Sequence, residues 1–285
     1  MNTTTYTSPV DKLLTLGEPE FVLPEKWPDY LELGLGPEHI PELIRMATDR
    51  ELRNIEPEED EEEDPEFWAP IHAIRALGQL HAEAAIEPLV NLLAELKDDE
   101  WMLEELPSVY GLIGQAAIPA LATYLSDSSH EMYSRSYAAN GLLEIGERHP
   151  ESRSECIADI SKQLEAFEEN DYELNAFLIS DLSHLKAVET LPLIERAFAA
   201  DRVDEFVISL DDVLVRFGLK EREEVQFQNP FGNFLERRGT PLKPEQIRIV
   251  PPNTPDNQPF AQRATGKTIK FSGKKVTKKH KKKKR

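Results

Sequence analysis

Cysteine is almost missing, with one residue, Cys156, in 285. A lone thiol closes no internal disulfide, so the chain is expected to be reduced and unsecreted. Long apolar runs are missing too. The nearest approach, Gly111 to Ala122, is interrupted by Gln115 and falls short of the roughly 20 residues that a membrane span needs. No basic start leads into an apolar stretch at the N-terminus, so no secretory leader is expected, and Asn2-Thr3-Thr4 fits a glycosylation acceptor only formally. Nor does any segment before Gly218 alternate apolar and polar residues with period two, so no sheet is expected. These absences point to an all-α protein without a membrane span, cytoplasmic in location.

What is present is helical periodicity. Ile71, Ile74, Leu77 and Leu80 recur at helical spacing, and Ile86, Leu89, Leu92, Leu93 and Leu96 do so again after a short break. The stretch Phe67 to Leu96 therefore reads as two amphipathic helices. Gly78 falls where the first should stop and is expected to adopt the left-handed conformation of a C-terminal cap. Pro88 lacks an N–H, which costs nothing among the first four residues of the second helix, where donors have no partner inside the helix.

Weaker copies follow at about 30 to 40 residues. Trp101 to Gly114 pairs with Gln115 to Ser126, and Met132 to Gly146 with Ser152 to Phe167. Tyr172 to Leu185 then pairs with Val188 to Ala199. Pro119 and Pro192 occupy the place of Pro88, and a last helix, Val203 to Phe217, ends at Gly218. Upstream, Trp27 to Leu33 and Pro37 to Ala47 read as another pair, with Pro41 in its early turn. Pro9 to Leu16 reads as a short helix ended by Gly17. A lone hairpin leaves its apolar face uncovered, so successive hairpins are expected to stack.

At this point a family resemblance emerges. Ala73-Ile74-Arg75-Ala76-Leu77-Gly78-Gln79-Leu80, followed by Ala85-Ile86-Glu87-Pro88-Leu89, resembles the HEAT-like repeats of the phycobilisome-lyase class. Leu112-Ile113-Gly114 with Ala117-Ile118-Pro119-Ala120-Leu121 is similar. The likeness covers about residues 30 to 220, and the chain resembles an uncharacterised bacterial and cyanobacterial family built from such units. It implies an α-solenoid of HEAT-like helical hairpins. Its name also raises a bilin lyase or chromophore chaperone as an enzymatic rival to a non-catalytic scaffold.

The expected organisation is an N-terminal cap segment at 1–26, the repeat solenoid at 27–218, a proline-rich linker at 219–260 and a disordered basic tail at 261–285. Charge divides unevenly along it. The last 25 residues hold ten Lys, two Arg and no acid, leaving 21 basic against 53 acidic side chains in residues 1–260. Nine of those acids lie within the eleven residues from Glu56 to Glu66, which reads as a solvated loop between helices and, as a site, a docking strip for a basic partner. The tail, Lys274, Lys275, Lys278, Lys279, Lys281, Lys282, Lys283, Lys284 and Arg285, has three readings: a solubilising tag, a contact for RNA, the ribosome or another polyanion, or an internal partner of the acidic body. Ser272-Gly273-Lys274-Lys275 and Lys278-Lys279-His280 are similar to the end of the small zinc-binding motif at the C-terminus of the protein-export ATPase, but the zinc-holding cysteines are absent.

Signals for chemistry are weak. Ala264-Thr265-Gly266-Lys267-Thr268 ends like a phosphate loop, yet residue 261 is Ala where the first Gly belongs. Histidines 39, 72, 81, 130, 149 and 184 show no metal spacing and read as surface or packing residues, and Cys156 reads as a structural thiol. Arg75 and Arg135 occupy corresponding first helices and are expected to bond a neighbouring repeat's carboxylate or carbonyls. No catalytic residue, cofactor or metal follows. The reading is a non-catalytic adaptor that binds another protein, with Trp68, Trp101, Tyr110, Tyr124 and Tyr133 as candidate aromatic anchors.

Overall fold

The apolar stripes become helices. The structure, a computed structural model, describes residues 5–53, 64–96 and 100–221. The chain divides into two units, Met1–Pro241 and Leu242–Arg285, and every described residue belongs to the first. Among the described residues there is no strand. The helices in chain order are α1 (Ile40–Ala47), α2 (Arg50–Arg53), α3 (Ala69–Gln79), α4 (Ile86–Glu95), α5 (Glu100–Ile113) and α6 (Ile118–Ser126). They continue with α7 (Met132–Arg148), α8 (Arg153–Leu164), α9 (Tyr172–His184), α10 (Leu191–Ala199) and α11 (Leu210–Arg216).

Proline marks where many of them begin. Pro41, Pro70, Pro119 and Pro192 are each the second residue of α1, α3, α6 and α10, and Pro88 is the third of α4, all positions whose N–H has no acceptor within the helix. A single 3-10 turn leads into each of α4, α6 and α10, at Glu83–Ala85, Gln115–Ala117 and Val188–Thr190.

Three expectations are corrected. Gly78 does not end α3 but lies within it, and a Cβ at Gly78 would stand 3.0 Å from Leu112 Cδ1 and 3.5 Å from Val109 Cα, both on α5. The missing side chain lets α5 approach. The left-handed residue is His81, at φ 48, and the cap is of the Schellman kind: its N–H bonds Gly78 O at 2.9 Å while the Ala82 N–H reaches Leu77 O at 3.0 Å. Second, Trp27 to Leu33 is not a helix; only short 3-10 turns form nearby, at Pro24–Lys26 and Leu31–Leu33. Third, of Val203 to Phe217 only α11 is helical, because Ser209 and Asp212 close a reciprocal capping box that fixes its start.

Packing follows two rows. In the first, α3, α5, α7, α9 and α11 each lie against the next, and α1 also packs on α3; in the second, α4, α6 and α8 do the same. The chain turns by 119° between α5 and α6 at Gly114, which takes φ 88. One continuous apolar cluster runs from Tyr6 to Val213 through both rows, and each buried Leu or Ile contributes about 1.5 to 3 kcal/mol. No single described helix is long and apolar enough to cross a membrane.

Side chains tie several helix ends to a neighbour. His81, just past α3, contacts Leu112 O at 2.5 Å, and His149, just past α7, contacts Gly111 O at 2.9 Å, both near the C-terminus of α5. Lys186, just past α9, donates to Arg216 O of α11 at 2.8 Å. Arg135 on α7 donates to Leu125 O at the end of α6 at 2.8 Å. Such donors satisfy carbonyls that the helix leaves without partners.

Candidate functional site

Residues at helical spacing on α3, α5, α7 and α9 form one face, and the N-terminal segment lies across part of it. On α3, His72, Arg75 and Gln79 share a stripe. Arg75 is fully buried and grips Glu105 of α5 with two bonds, Nε to Oε2 at 3.0 Å and Nη2 to Oε1 at 2.9 Å. Its Nη2 also donates to Glu20 O at 3.0 Å, and the guanidinium lies 4.8 Å from the Trp27 ring centre and 5.8 Å from that of Phe21. Gln79 donates to Pro28 O at 2.9 Å and accepts from the Tyr30 N–H at 3.0 Å.

His72 closes the contact. Its Nε2 faces Gly17 O at 2.8 Å, and a carbonyl only accepts, so Nε2 carries the proton and Nδ1 accepts from the Tyr30 hydroxyl at 2.7 Å. Burial pushes the imidazole down to about 4, with Arg75 adding to the effect and the Gly17 bond opposing it, so the ring is neutral at pH 7. Burial likewise pushes the Tyr30 phenol up to about 12, which keeps its proton in place. Phe21 stacks 4.7 Å from Trp101 and meets Trp68 edge-on at 6.1 Å, and Glu25 pairs with Arg148 of α7 at 2.8 Å. Residues 17–30 are thus held as a strap through three backbone carbonyls, one backbone N–H, three aromatic rings and one ion pair.

Arg148 is the last residue of a longer stripe. Tyr133, Tyr137, Asn140, Glu144 and Arg148 follow one another at three or four residue steps along α7, so the ridge that meets the strap continues past it. It runs beside Glu173, Phe177, Asp181 and His184 of α9, at the same spacing. Tyr133 donates from its hydroxyl to Glu173 Oε2 at 3.1 Å, and its ring centre lies 6.3 Å from that of Phe177 at 60°. Burial and the Glu173 carboxylate raise the Tyr133 phenol, with Asp204 contributing from the loop before α11. Tyr133, Tyr137, Phe177 and Glu173 are partly exposed. At the edge, Tyr172 is 48 % and Phe206 63 % exposed, and Arg202 stacks 4.2 Å over Tyr172.

Two helical turns along α9 from Glu173, beside Asn140 of α7, Asp181 is only 3 % exposed. Its Oδ1 accepts a long bond from Asn140 Nδ2 at 3.5 Å, and its Oδ2 is buried with no partner. Burial raises its carboxyl well above the ordinary range, with Glu147 and Glu144 adding and Asn140 and Arg216 opposing. Burial also lowers His184 to about 4, assisted by Arg216.

Of the five candidate anchors, three are corrected. Trp68, Tyr110 and Tyr124 are 4, 0 and 6 % exposed and sit in the core, where helical spacing turns large rings inward, so they present no surface to a partner. Trp101 is 49 % exposed but lies against Phe21 of the strap, while Tyr133 lies on the partly exposed stripe of α7. Cys156 is buried, and burial lifts its thiol to about 12, with Glu155 and Asp159 adding, which makes it a poor nucleophile. Among the described residues no group of three His, Cys, Asp or Glu could hold a metal ion. The lysine tail from Lys274 to Arg285 lies outside the described residues, as do the proline-rich linker beyond residue 221 and residues 56–63 of the acidic run. Sequence reading missed Glu105, Tyr137, Glu173, Phe177, Asp181 and the strap. Glu105 had one faint signal, its place thirty residues after Arg75, about one repeat on.

Residues 37–229, more than half of the chain, match a family model described as a protein of unknown function, DUF1186. The chain belongs to the DUF1186 family. No curated protein and no solved structure matches it. The DUF1186 match spans every helix from α1 to α11, and so the whole face, whereas the strap at 17–30 precedes it.

Proposed function

We propose that this DUF1186 protein is a non-catalytic scaffold, an α-solenoid of helical hairpins that binds an extended segment of another protein along the face of α3, α5, α7 and α9. The two rows of successively packed helices support the solenoid reading. One observation carries the binding reading: the face already holds a largely irregular segment of chain, residues 17–30, by its backbone groups. His72, Arg75 and Gln79 take the carbonyls of Gly17, Glu20 and Pro28, and backbone groups are present in every polypeptide. Aromatic side chains then add selectivity, as Phe21, Trp27 and Tyr30 do for the strap. From Arg148 the ridge runs back along α7 to Tyr133, beyond the strap, so a second segment has a place beside the first.

A photo-crosslinking amino acid placed at Phe177 in the cell, and separately at Glu155 on α8, tests this. Protein adducts from Phe177 and none from Glu155 are expected. Equal yields from both positions, or none from Phe177, would remove the docking reading.

A further inference from the structure

We infer that residues 17–30 are a built-in occupant of the docking face, a cover over its α3 and α5 part that gives way, by exchange, to a partner's proline-spaced segment with aromatic anchors. This rests on the docking reading above and adds the class of segment and the contact that regulates its entry. The chemistry of the seat sets the class. His72 Nε2, Arg75 Nη2 and Gln79 Nε2 all donate to strap carbonyls, while Gln79 Oε1 accepts from the Tyr30 N–H. Proline offers a carbonyl and no N–H, so a chain with proline at intervals brings acceptors and leaves few donors to be buried unpaired. The strap has that form, with Pro19, Pro24 and Pro28, and the Pro28 carbonyl is itself one of the three that are held. Between the prolines, Phe21 stacks 4.7 Å from Trp101 and the Trp27 ring centre lies 4.8 Å from the Arg75 guanidinium. Proline-rich ligands are recognised elsewhere by the same pairing of backbone carbonyls with aromatic surfaces.

The strap is held as a ligand is held. Its own order amounts to one 3-10 turn, Pro24–Lys26, and a bond from Trp27 Nε1 to Val22 O at 2.9 Å. Half of its fourteen side chains are exposed. Glycines in the left-handed conformation bound it, Gly17 at φ 69 and Gly34 at φ 93, and glycine changes conformation without a Cβ to clash. The chain before it is anchored independently, with Val10 and Leu13 fully buried and the Thr7 N–H bonded to Glu42 of α1 at 2.8 Å. The strap can thus swing out as a loop tethered at both ends. Arg75 makes exchange the favoured route. It is fully buried, so an empty seat deprives it of the Glu20 carbonyl and the Trp27 ring at a cost that a replacing segment removes. Its Nη1 is buried with no acceptor among the described residues, so the strap leaves one donor unused and a segment bringing a further carbonyl gains by replacing it. A tethered occupant acts at an effective concentration of about millimolar. It therefore excludes weak segments and admits a better fit. Its departure also frees Arg148 from Glu25, joining the vacated seat to the α7 stripe.

The test uses the full chain and a fluorescein-labelled peptide with the sequence of residues 17–30, carrying Lys26→Arg so that its mass differs from that of the strap. Binding is followed by anisotropy and the strap's amides by hydrogen exchange with mass spectrometry. In the wild type, saturating peptide is expected to hasten exchange of the strap at least about five-fold while α3 and α5 stay protected. Phe21→Ser combined with Trp27→Ser loosens the strap and leaves every seat residue in place. This double variant is expected to bind the peptide about ten-fold or more tightly than the wild type, and adding Gln79→Ala should weaken that binding about five-fold or more, since two hydrogen bonds go with it. Helical circular dichroism checks that the double variant folds; if it does not, the exchange result on the wild type decides. Strap exchange unchanged by saturating peptide, or no gain of affinity in the folded double variant, means a fixed part of the fold and overturns the inference. So does the absence of saturable binding. The docking reading is then left to the Phe177 crosslinking result. A scrambled peptide that acts equally well, or binding indifferent to Gln79→Ala, also overturns the inference while the docking reading stands.

Discussion

Arg75 and Glu105 are two opposite charges taken almost wholly out of water, with side chains 0 and 8 % exposed. Such a pair gains less from attraction than it loses in hydration unless its bonds are complete, so removing one member costs far more than replacing both. Glu105→Gln is expected to destabilise the protein by about 3 to 5 kcal/mol, read as a lowered urea midpoint. Arg75→Met combined with Glu105→Leu should regain most of that. If the double variant is no better than the single one, the pair is not the source of the loss. His72 adds a pH dependence whose sign is fixed by its depressed pKa of about 4. The folded state binds fewer protons than the unfolded chain between that value and the ordinary 6.5. Stability is therefore full above 6.5 and lost as pH falls toward 4, by about 1.4 kcal/mol per unit. The three tryptophans, Trp27, Trp68 and Trp101, all lie at or beneath the strap, so their emission reports that region. On acidification from pH 7 to 4.5 a red shift is expected to precede loss of helical circular dichroism, and His72→Gln should flatten it. His184 and Asp181 are common to both proteins and drop out of the comparison.

Helix ends carry a second kind of information. His81, Lys186, Asp201 and Gly218 occupy the same position two residues after α3, α9, α10 and α11, and only the last is glycine. A non-glycine residue in this conformation costs about 1 to 2 kcal/mol. Asp201 also adds negative charge at the negative end of α10. Asp201→Gly is therefore expected to stabilise the protein by up to about 1 kcal/mol once the greater freedom of glycine in the unfolded chain is allowed for. Thermal unfolding checks this, and a lower melting temperature would mean that the Asp201 side chain has a role in the fold. The same ends show how far the elements were legible. Apolar spacing and proline placed α3 to α10 within a few residues, because both signals act inside one helix. Gly78 misled, since a glycine near a helix end looks the same whether it caps the helix or admits a neighbour, and Leu112 is 34 positions away in sequence. The strap was unreadable as such. Its prolines and aromatics show no period, and the groups that hold it come from α3, α5 and α7.

At the scale of the molecule, contacts run between helices that are near in sequence, and this sets how the fold should come apart. α7 touches α4, α5, α6, α8 and α9, helices of both rows, whereas α11 has substantial contact with α9 alone among the helices. In a row of nearest neighbours the free energy of opening rises from the ends toward the middle. The stripes of α7 and α9, part of the face proposed for docking, border the firm centre on one side and the looser end on the other. That placement suits a face that keeps Tyr133 and Glu173 in register. Hydrogen exchange monitored by mass spectrometry is expected to find the slowest amides in α5 and α7 and faster ones in α10 and α11. Tyr133→Ala, on α7, should hasten exchange in both rows, while Asp211→Ala, on α11, should leave α3 to α7 unchanged. Uniform protection from α3 to α11 would mean one indivisible block and would remove the row-like reading.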